Sequence, residues 1–200
     1  GCHSAKYARY ERIATDLGIP VELYEENLIF NGAKPGELMN IAMSPALAKG
    51  WFGAPPPDLT LEARLRGPNW VYSYMRAFYA DDSRPFGVNN VVFPSVGMPH
   101  VLVGLQGLCA EPPKVGVSGR VEPLSGTVVD QGGCQSWAIE GSMTPAEYDQ
   151  AMFDLTNFLV YLGEPMQLER KRIGMYVLIF LAILFVFAYL LNREYWKDVH

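Results

Sequence analysis

The sequence predicts a mainly helical domain with long irregular loops, followed by one C-terminal transmembrane helix. Several segments carry apolar residues at helical spacing, whereas residues 85–141 hold 16 of the chain's 34 Gly and Pro residues. The last observation is a run of 19 residues without a charge, 173–191. Together these patterns are typical of a globular domain attached to a membrane.

The C-terminal run reads IGMYVLIFLAILFVFAYLL. As a helix it spans about 28 Å, close to the ~30 Å hydrocarbon core of a bilayer. Aromatic residues that favour the headgroup region lie at or near its two ends: Tyr176, Tyr189, Tyr195 and Trp196. A buried core helix is the alternative, but such helices are rarely apolar on every face over five turns. We therefore predict a domain over 1–168, a membrane span over 169–192 and a short tail over 193–200.

The first half of the chain contains three predicted helical segments. Tyr7, Tyr10, Ala14 and Leu17 lie at helical spacing and predict a helix directly after Cys2 and His3. Residues 37–49 predict a short helix interrupted by a proline at position 45. A further helix is predicted up to residue 66, with the aspartate at position 58 as its N-cap.

The second half is predicted to be irregular between two helices. Pro68 can open a helix in which Trp70, Tyr74 and Phe78 share one face. Residues 115–129 predict a small β-hairpin within the Gly- and Pro-rich segment. Thr144-Pro145-Ala146-Glu147 has the form of a capping box and predicts a helix through about residue 162.

The charge balance limits the possible partners. The chain has 16 Lys+Arg and 21 Asp+Glu, for a net charge of −5. Residues 1–168 alone hold 11 basic and 18 acidic residues, which gives −7. This balance argues against nucleic acid as a partner, because phosphate binding needs a concentrated cationic surface. A basic protein would instead be attracted to this domain.

Three cysteines and three histidines limit the possible metal sites. Cys2, Cys109 and Cys134 lack the paired spacing of zinc sites and the four thiolates of an iron–sulfur cluster. Cys2-His3 matches the last two positions of C-x-x-C-H, the attachment motif of c-type haem. The first cysteine of that motif would lie two residues before Gly1, so the pair taken alone is also compatible with chance.

A methionine in a restrained loop is a candidate second ligand. Met98 lies in Val96-Gly97-Met98-Pro99-His100, where Gly and Pro restrict the backbone on both sides. A thioether opposite a histidine is a common ligand pair for electron-transfer haems. Packing remains the alternative role for Met98. His100 is a rival ligand, and Met143 and Met166 also lie near loops.

Six motifs taken in order along the chain resemble cytochrome c1 of the proteobacterial type. They are Cys2-His3-Ser4-Ala5-Lys6-Tyr7, Pro56-Pro57-Asp58-Leu59-Thr60, the pair Arg64 and Arg66, Gly87-Val88-Asn89-Asn90, Val96-Gly97-Met98-Pro99 and Arg193-Glu194-Tyr195-Trp196-Lys197-Asp198. The chain lacks the family's N-terminal segment with the first haem cysteine, and we expect it to be N-terminally truncated. As given, it could form one of the two thioether bonds to haem.

The resemblance implies a cofactor and its ligands. The cofactor is covalently attached haem c, bound through Cys2, with His3 and Met98 as the axial ligands of the iron. An arginine that follows the Pro-Pro-Asp-Leu loop contacts a haem propionate in this family. Arg66 best matches that position and Arg64 is second, while a surface charge pair is the alternative for both.

The resemblance also implies a role and partners. The chain would be the haem subunit of the cytochrome bc1 complex of the respiratory chain, the quinol to cytochrome c oxidoreductase. It would accept one electron from the Rieske iron–sulfur protein and pass it to cytochrome c, within a dimeric complex that contains cytochrome b. No acid–base or nucleophilic motif is present in the sequence, and this role needs no catalytic residue.

The location implied by the resemblance bears on the other two cysteines and on the orientation. The haem domain would lie in the periplasm, an oxidising space where disulfides persist. Cys109 and Cys134 would then form a bridge like one found in some bacterial cytochromes c1, although two free buried thiols remain possible.

The C-terminal tail would be cytoplasmic. The basic count, three residues before the span (170–172) against two after it, favours the opposite orientation weakly.

Two other functions remain open at this stage. One is a membrane-anchored structural or assembly subunit without haem, in which Cys2-His3 is coincidental. The other is an anchored c-type cytochrome outside any complex. A cysteine encoded two positions before Gly1, preceded by a secretory signal, would favour haem over the first of these. Purification without cytochrome b would identify the second.

Overall fold

A computed structural model describes residues 1–114, 120–121, 128–129 and 133–197. The chain forms two compact units, Gly1–Gly163 and Glu164–His200. The first unit contains helices and small sheets, and the second contains one long helix. The fold is thus largely helical with irregular connections, as the sequence predicted.

The chain begins with a strand rather than the predicted helix. Strand β1 (Ala5–Arg9) pairs antiparallel with β2 (Leu38–Met39), and helix α1 begins only at Tyr10 and ends at Leu17. The helix prediction was wrong for residues 5–9. Backbone N–H groups of this segment bond to side chains far along the chain, from Lys6 to Asp58 (2.8 Å) and from Tyr7 to Thr60 (3.4 Å). These tertiary partners outweigh the local periodicity.

Helices α2 (Val21–Leu28) and α3 (Pro45–Phe52) follow. The helix predicted over 37–49 was wrong in its first half, where β2 lies. Pro45 opens α3 at its first turn, where the missing N–H costs no hydrogen bond, and the Ser44 hydroxyl accepts from the Leu47 N–H. The proline therefore begins a helix instead of interrupting one.

Helices α4 (Glu62–Arg66) and α5 (Pro68–Met75) form the next segment. Pro68 opens α5 as predicted. Asp58 does not cap α4, because its carboxylate accepts from the N–H groups of Thr60 and Lys6. Phe78 lies beyond the helix, on strand β3 (Phe78–Ala80).

A four-stranded sheet, in the order β4-β3-β5-β8, joins β3 to three strands of the Gly- and Pro-rich segment. Its other strands are β4 (Val88–Asn90), β5 (Gly107–Cys109), which follows α6 (Val103–Gln106), and β8 (Trp137–Glu140). β3 runs parallel to β5, and the other two pairings are antiparallel. Gly107 and Gly141 permit close approach here, since a Cβ on Gly141 would lie 2.3 Å from the Leu105 carbonyl oxygen.

Strands β6 (Arg120–Val121) and β7 (Val128–Val129) pair antiparallel inside the hairpin predicted over 115–129. The rest of that predicted hairpin lies outside the described residues. The same applies to positions 198–200 of the predicted tail.

Helix α7 (Pro145–Gly163) packs against the rest of the first unit. Its predicted capping box is confirmed: the Glu147 carboxylate accepts from the Thr144 N–H (2.8 Å), and the Thr144 hydroxyl oxygen accepts from the Glu147 N–H (3.3 Å). Leu159 and Leu162 of α7 join the core formed with Ile13 and Ala14 of α1.

Helix α8 (Gln167–Tyr195) is the second unit's helix. Among the described residues it is the one helix long and apolar enough to cross a membrane, and its most apolar window has a mean hydropathy of 2.7. None of that window is buried. This exposure fits a membrane span and not the alternative of a buried core helix.

Candidate functional site

The imidazole of His3 is oriented by a backbone carbonyl of the proline-rich loop, residues 55–60. Its Nδ1 lies 2.7 Å from the Pro57 carbonyl oxygen, which can only accept, so Nδ1 carries the proton. The other nitrogen, Nε2, is then the one with a free lone pair, as in most metal-binding histidines. Two hydrogen bonds tie the loop to the chain start: the Leu59 N–H donates to the Ser4 carbonyl (2.8 Å), and the Lys6 N–H donates to the Asp58 carboxylate.

Cys2 precedes this histidine directly and is half-buried, with a free thiol. Ser4 follows it, and its hydroxyl accepts from the Ile41 N–H at 3.1 Å. The cysteine thiol and the histidine ring therefore lie on a segment that tertiary hydrogen bonds hold in place.

Met98 is half-buried, and a phenol donates to its sulfur. The Tyr74 hydroxyl lies 3.3 Å from the Met98 sulfur. Burial raises the pKa of Tyr74 to about 12, so the hydroxyl stays protonated at physiological pH and remains a donor. The sequence pattern predicted Tyr74 only as part of an apolar helix face. It gave no sign of this contact, because no spacing rule links Tyr74 to a loop 24 residues later.

His100 is a core residue in this structure. Its side chain is 6% exposed, and its ring stacks on Phe78 with centroids 4.6 Å apart and planes 7° from parallel. Its Nε2 lies 3.0 Å from the Gly107 carbonyl oxygen. Burial lowers the pKa of His100 and favours the neutral ring. As a ligand His100 would have to leave this packing.

The two other methionines near loops have different surroundings. Met143 is partly buried against the cluster that contains Tyr72 and Tyr148. Met166 is 49% exposed and precedes α8 in the second unit. Both methionines therefore lie outside the Gly- and Pro-restrained loop that holds Met98.

The two arginines of α4 have different neighbours. The Arg66 guanidinium lies over the rings of Trp70 (4.8 Å) and Phe93 (5.6 Å). Trp70 in turn stacks on Tyr74, with centroids 4.9 Å apart. A continuous set of contacts thus links Arg66 to the Met98 sulfur.

Arg64 instead packs toward α7. A Cβ on Gly163 would lie 3.1 Å from the Arg64 Cγ, so the glycine leaves room for the arginine stem. The two arginines therefore have separate environments, and Arg66 is the one that belongs to the aromatic set beside Met98.

A disulfide joins Cys109, at the end of β5, to Cys134. It lines a small cavity of about 20 Å³ together with a buried ion pair, Arg76 and Asp149. Two nitrogens of Arg76 lie 2.5 and 3.1 Å from the two Asp149 oxygens, and both side chains are at most 5% exposed. This pair was not predicted from the sequence, although Asp149 shares a buried helical stripe with Met152 and Thr156 that could have indicated it.

Comparison with known proteins identifies the family. The chain is 52% identical to cytochrome c1 of Allochromatium vinosum over 205 residues, which is all of this chain and 79% of that protein. This chain belongs to the cytochrome c1 family. The sequence model of the Cytochrome C1 family matches residues 140–199. Membership implies covalently bound haem c and a role in electron transport as a membrane-anchored subunit of the bc1 complex.

Two other relatives show the range of the family. The mitochondrial cytochrome c1 haem protein of Neurospora crassa is 30% identical over 153 residues, 72% of this chain and 37% of that protein. The ammonia monooxygenase gamma subunit of Nitrosomonas europaea is 42% identical over 199 residues, all of this chain and 77% of that protein. This chain thus shares extensive sequence with a protein named for a different enzyme.

Proposed function

We propose that this chain is the electron-transfer haem subunit of a ubiquinol–cytochrome c reductase that takes one electron from a Rieske iron–sulfur protein and passes it to cytochrome c. The observation that carries the proposal is the pair of oriented donors: His3, held through Nδ1 by Pro57, and Met98, held by Tyr74. Pro57 and Tyr74, which hold these two donors, belong to one stretch of chain: the proline-rich loop followed by α4 and α5.

The residues present fit haem c, which supplies an iron that cycles between ferric and ferrous forms when bound. The free Nε2 of His3 and the Met98 sulfur are the donor types found at electron-transfer haems. Cys2 offers a thiol for one thioether bond. His3 and Met98 would bind the haem iron, Cys2 would attach the haem covalently, and Arg66 would contact a propionate, with Arg64 as the second choice.

Each of these residues has a distinct task. The Pro57 carbonyl fixes the His3 tautomer and leaves Nε2 as the nitrogen that would bind the iron. The Tyr74 hydroxyl orients the Met98 thioether and draws electron density from its sulfur. The Trp70 ring lies under the Arg66 guanidinium and stacks on Tyr74. No proton transfer or nucleophile is needed for a one-electron relay.

The charge of the domain supports docking of a basic electron carrier. Residues 1–168 have a net charge of −7, from 11 basic and 18 acidic residues. Such a surface speeds the encounter with a basic cytochrome c at low ionic strength.

For the topology, we propose a periplasmic haem domain over 1–168, a span over 169–192 in the bacterial inner membrane and a cytoplasmic tail over 193–200. The basic count, three residues before the span against two after it, favours the opposite orientation weakly. The stronger argument is the covalently bound haem c of the family, because this haem is attached outside the cytoplasm. The dimeric complex with cytochrome b remains part of the proposal.

A second candidate function follows from the relative in Nitrosomonas europaea: a subunit of a membrane monooxygenase. The 52% identical cytochrome c1 is the stronger likeness over the same length. Purification of the tagged full chain from membranes distinguishes the two. Recovery with a cytochrome b and a Rieske protein supports the reductase, whereas recovery with monooxygenase subunits would contradict it.

The ligand assignment is tested with Met98→Leu, which keeps the volume of the side chain but removes the sulfur. We expect the haem to stay attached, the midpoint potential to fall, and electron acceptance from the Rieske centre to be lost. Met143→Leu is the matched control, and His100→Ala should affect the potential much less. A Met98→Leu protein that keeps its potential and its ferric thioether absorption band would show that another residue is the sixth ligand.

A further inference from the structure

Ser95 has an unusual backbone conformation three residues before Met98. Its φ is +62°, and the other described residues with positive φ are glycines. An L side chain in this left-handed region costs free energy, and the conformation persists only where the surroundings hold it. Ser95 therefore needs partners that hold this conformation. Because Ser95 begins the loop over residues 95–100, called the methionine loop below, these partners also affect the position of Met98.

Both backbone polar groups of Ser95 are held by side chains. Its N–H donates to the Asn89 Oδ1 (2.9 Å), and its carbonyl oxygen accepts from the Arg84 Nη2 (2.9 Å). The same Nη2 lies 3.4 Å from the Val96 carbonyl oxygen. One guanidinium thus contacts two consecutive carbonyls of the loop.

The holding side chains are themselves fixed by the turn between β3 and β4. The Asn89 Nδ2 donates to the Asp81 Oδ2 (2.8 Å), which turns its Oδ1 toward Ser95. Within the turn, the Arg84 N–H donates to the Asp81 carbonyl, and the Gly87 N–H donates to the Arg84 carbonyl, both at 3.0 Å. The loop is therefore held by a folded turn and not by two free side chains.

The remainder of the methionine loop is held differently. A Cβ on Gly97 would lie 3.1 Å from the Phe52 carbonyl oxygen, so this residue sits against α3. Beyond Met98, His100 is stacked on Phe78 and bonded to Gly107. Loss of Arg84 would consequently release the N-terminal side of the loop alone.

We propose that Arg84 is a positioning residue for Met98: by binding the carbonyls of Ser95 and Val96 it holds the left-handed turn that presents the thioether. This rests on the proposed role of Met98 as an iron ligand. Without the guanidinium, Ser95 relaxes toward negative φ, and the direction of the chain that leads into Gly97 and Met98 changes.

The test is Arg84→Leu in the full chain, purified within its membrane complex. We expect covalent haem content to be unchanged, the ferric thioether absorption band to weaken, and the fraction of ferrous protein that binds carbon monoxide to rise about tenfold or more, as for loss of a charged hydrogen bond. The matched control is Arg9→Leu, which also removes an arginine–carbonyl bond, to Gly36 in a different loop.

A rescue variant separates positioning from general stability. Glycine adopts a φ of +62° without strain, so Ser95→Gly added to Arg84→Leu should restore the thioether band and lower carbon monoxide binding toward the parent. If Arg84→Leu alone does not accumulate, the double variant should accumulate with the band present. Arg84→Leu behaving like Arg9→Leu, or a double variant without the band, would overturn the proposal. If Met98→Leu leaves the band intact, the ligand assignment itself fails.

Discussion

The Tyr74 hydroxyl donates to the Met98 sulfur at 3.3 Å, across the space between helix α5 and the methionine loop. The Tyr74 ring also stacks on Trp70, and the Arg66 guanidinium lies over the Trp70 ring. One helix thus supplies the partner of the thioether and supports an arginine proposed to contact a propionate. Substitutions in this helix should therefore change the midpoint potential of the haem iron.

Tyr74→Phe should lower the midpoint potential while the haem stays attached. The hydrogen bond withdraws electron density from the sulfur and disfavours ferric iron, so its loss stabilises the ferric form. A bond worth about 0.5–1 kcal/mol corresponds to a shift of roughly 20–40 mV. Redox titration measures it, with Tyr79→Phe on β3 as the control. An unchanged or raised potential would contradict the proposed effect.

Asp149→Asn should strongly destabilise the first unit, because it leaves the buried Arg76 cation without its counter-charge. We expect the free energy of unfolding to fall by about 3–5 kcal/mol. Denaturant unfolding of the solubilised full chain measures it. Asp154→Asn, on the exposed side of the same helix, should change it little.

The double variant Arg76→Met/Asp149→Leu should recover part of that loss, since two apolar side chains leave no unpaired charge. A double variant less stable than Asp149→Asn would show that the pair itself, and not the unpaired charge, provides the stability.

Glu147→Gln should remove a pH-dependent contribution to stability at the start of α7. The bonds from the Thr144 N–H and hydroxyl lower the pKa of Glu147 from its ordinary value of 4.5. The stabilisation is therefore present above pH 4.5 and is lost as pH falls through the lowered pKa. The difference in unfolding free energy between parent and variant should be largest near pH 7 and should shrink in acid. Glu111→Gln, in an exposed loop, is the control, and a difference that grew in acid would contradict the prediction.

A reporter that is active only in the periplasm should give no signal when fused after His200, because the tail is proposed to be cytoplasmic. The same reporter fused after Gly163, where the first unit ends, should be active. Signal from the C-terminal fusion would mean that the basic count predicted the orientation correctly.

The helices with local signals were predictable. Pro68 opens α5 and the capping box opens α7, since both depend on residues within one turn of the helix end. The candidate membrane span was predictable too, because an uncharged run of 19 residues is recognised without any tertiary contact. Strand β1 was not predictable, because its backbone donors bond to Asp58 and Thr60, more than fifty residues away.

The sequence by itself determined the family and singled out Cys2-His3 and Met98 as candidates for haem binding, because these are carried by residue types at short spacing. Only the tertiary structure decided that His100 stacks in the core, that Arg66 rather than Arg64 joins the aromatic set, and that Arg84 holds Ser95. Each of these depends on contacts between segments distant in sequence or on the direction of a side chain. Local propensity does not encode such contacts, since they form only when the whole core packs.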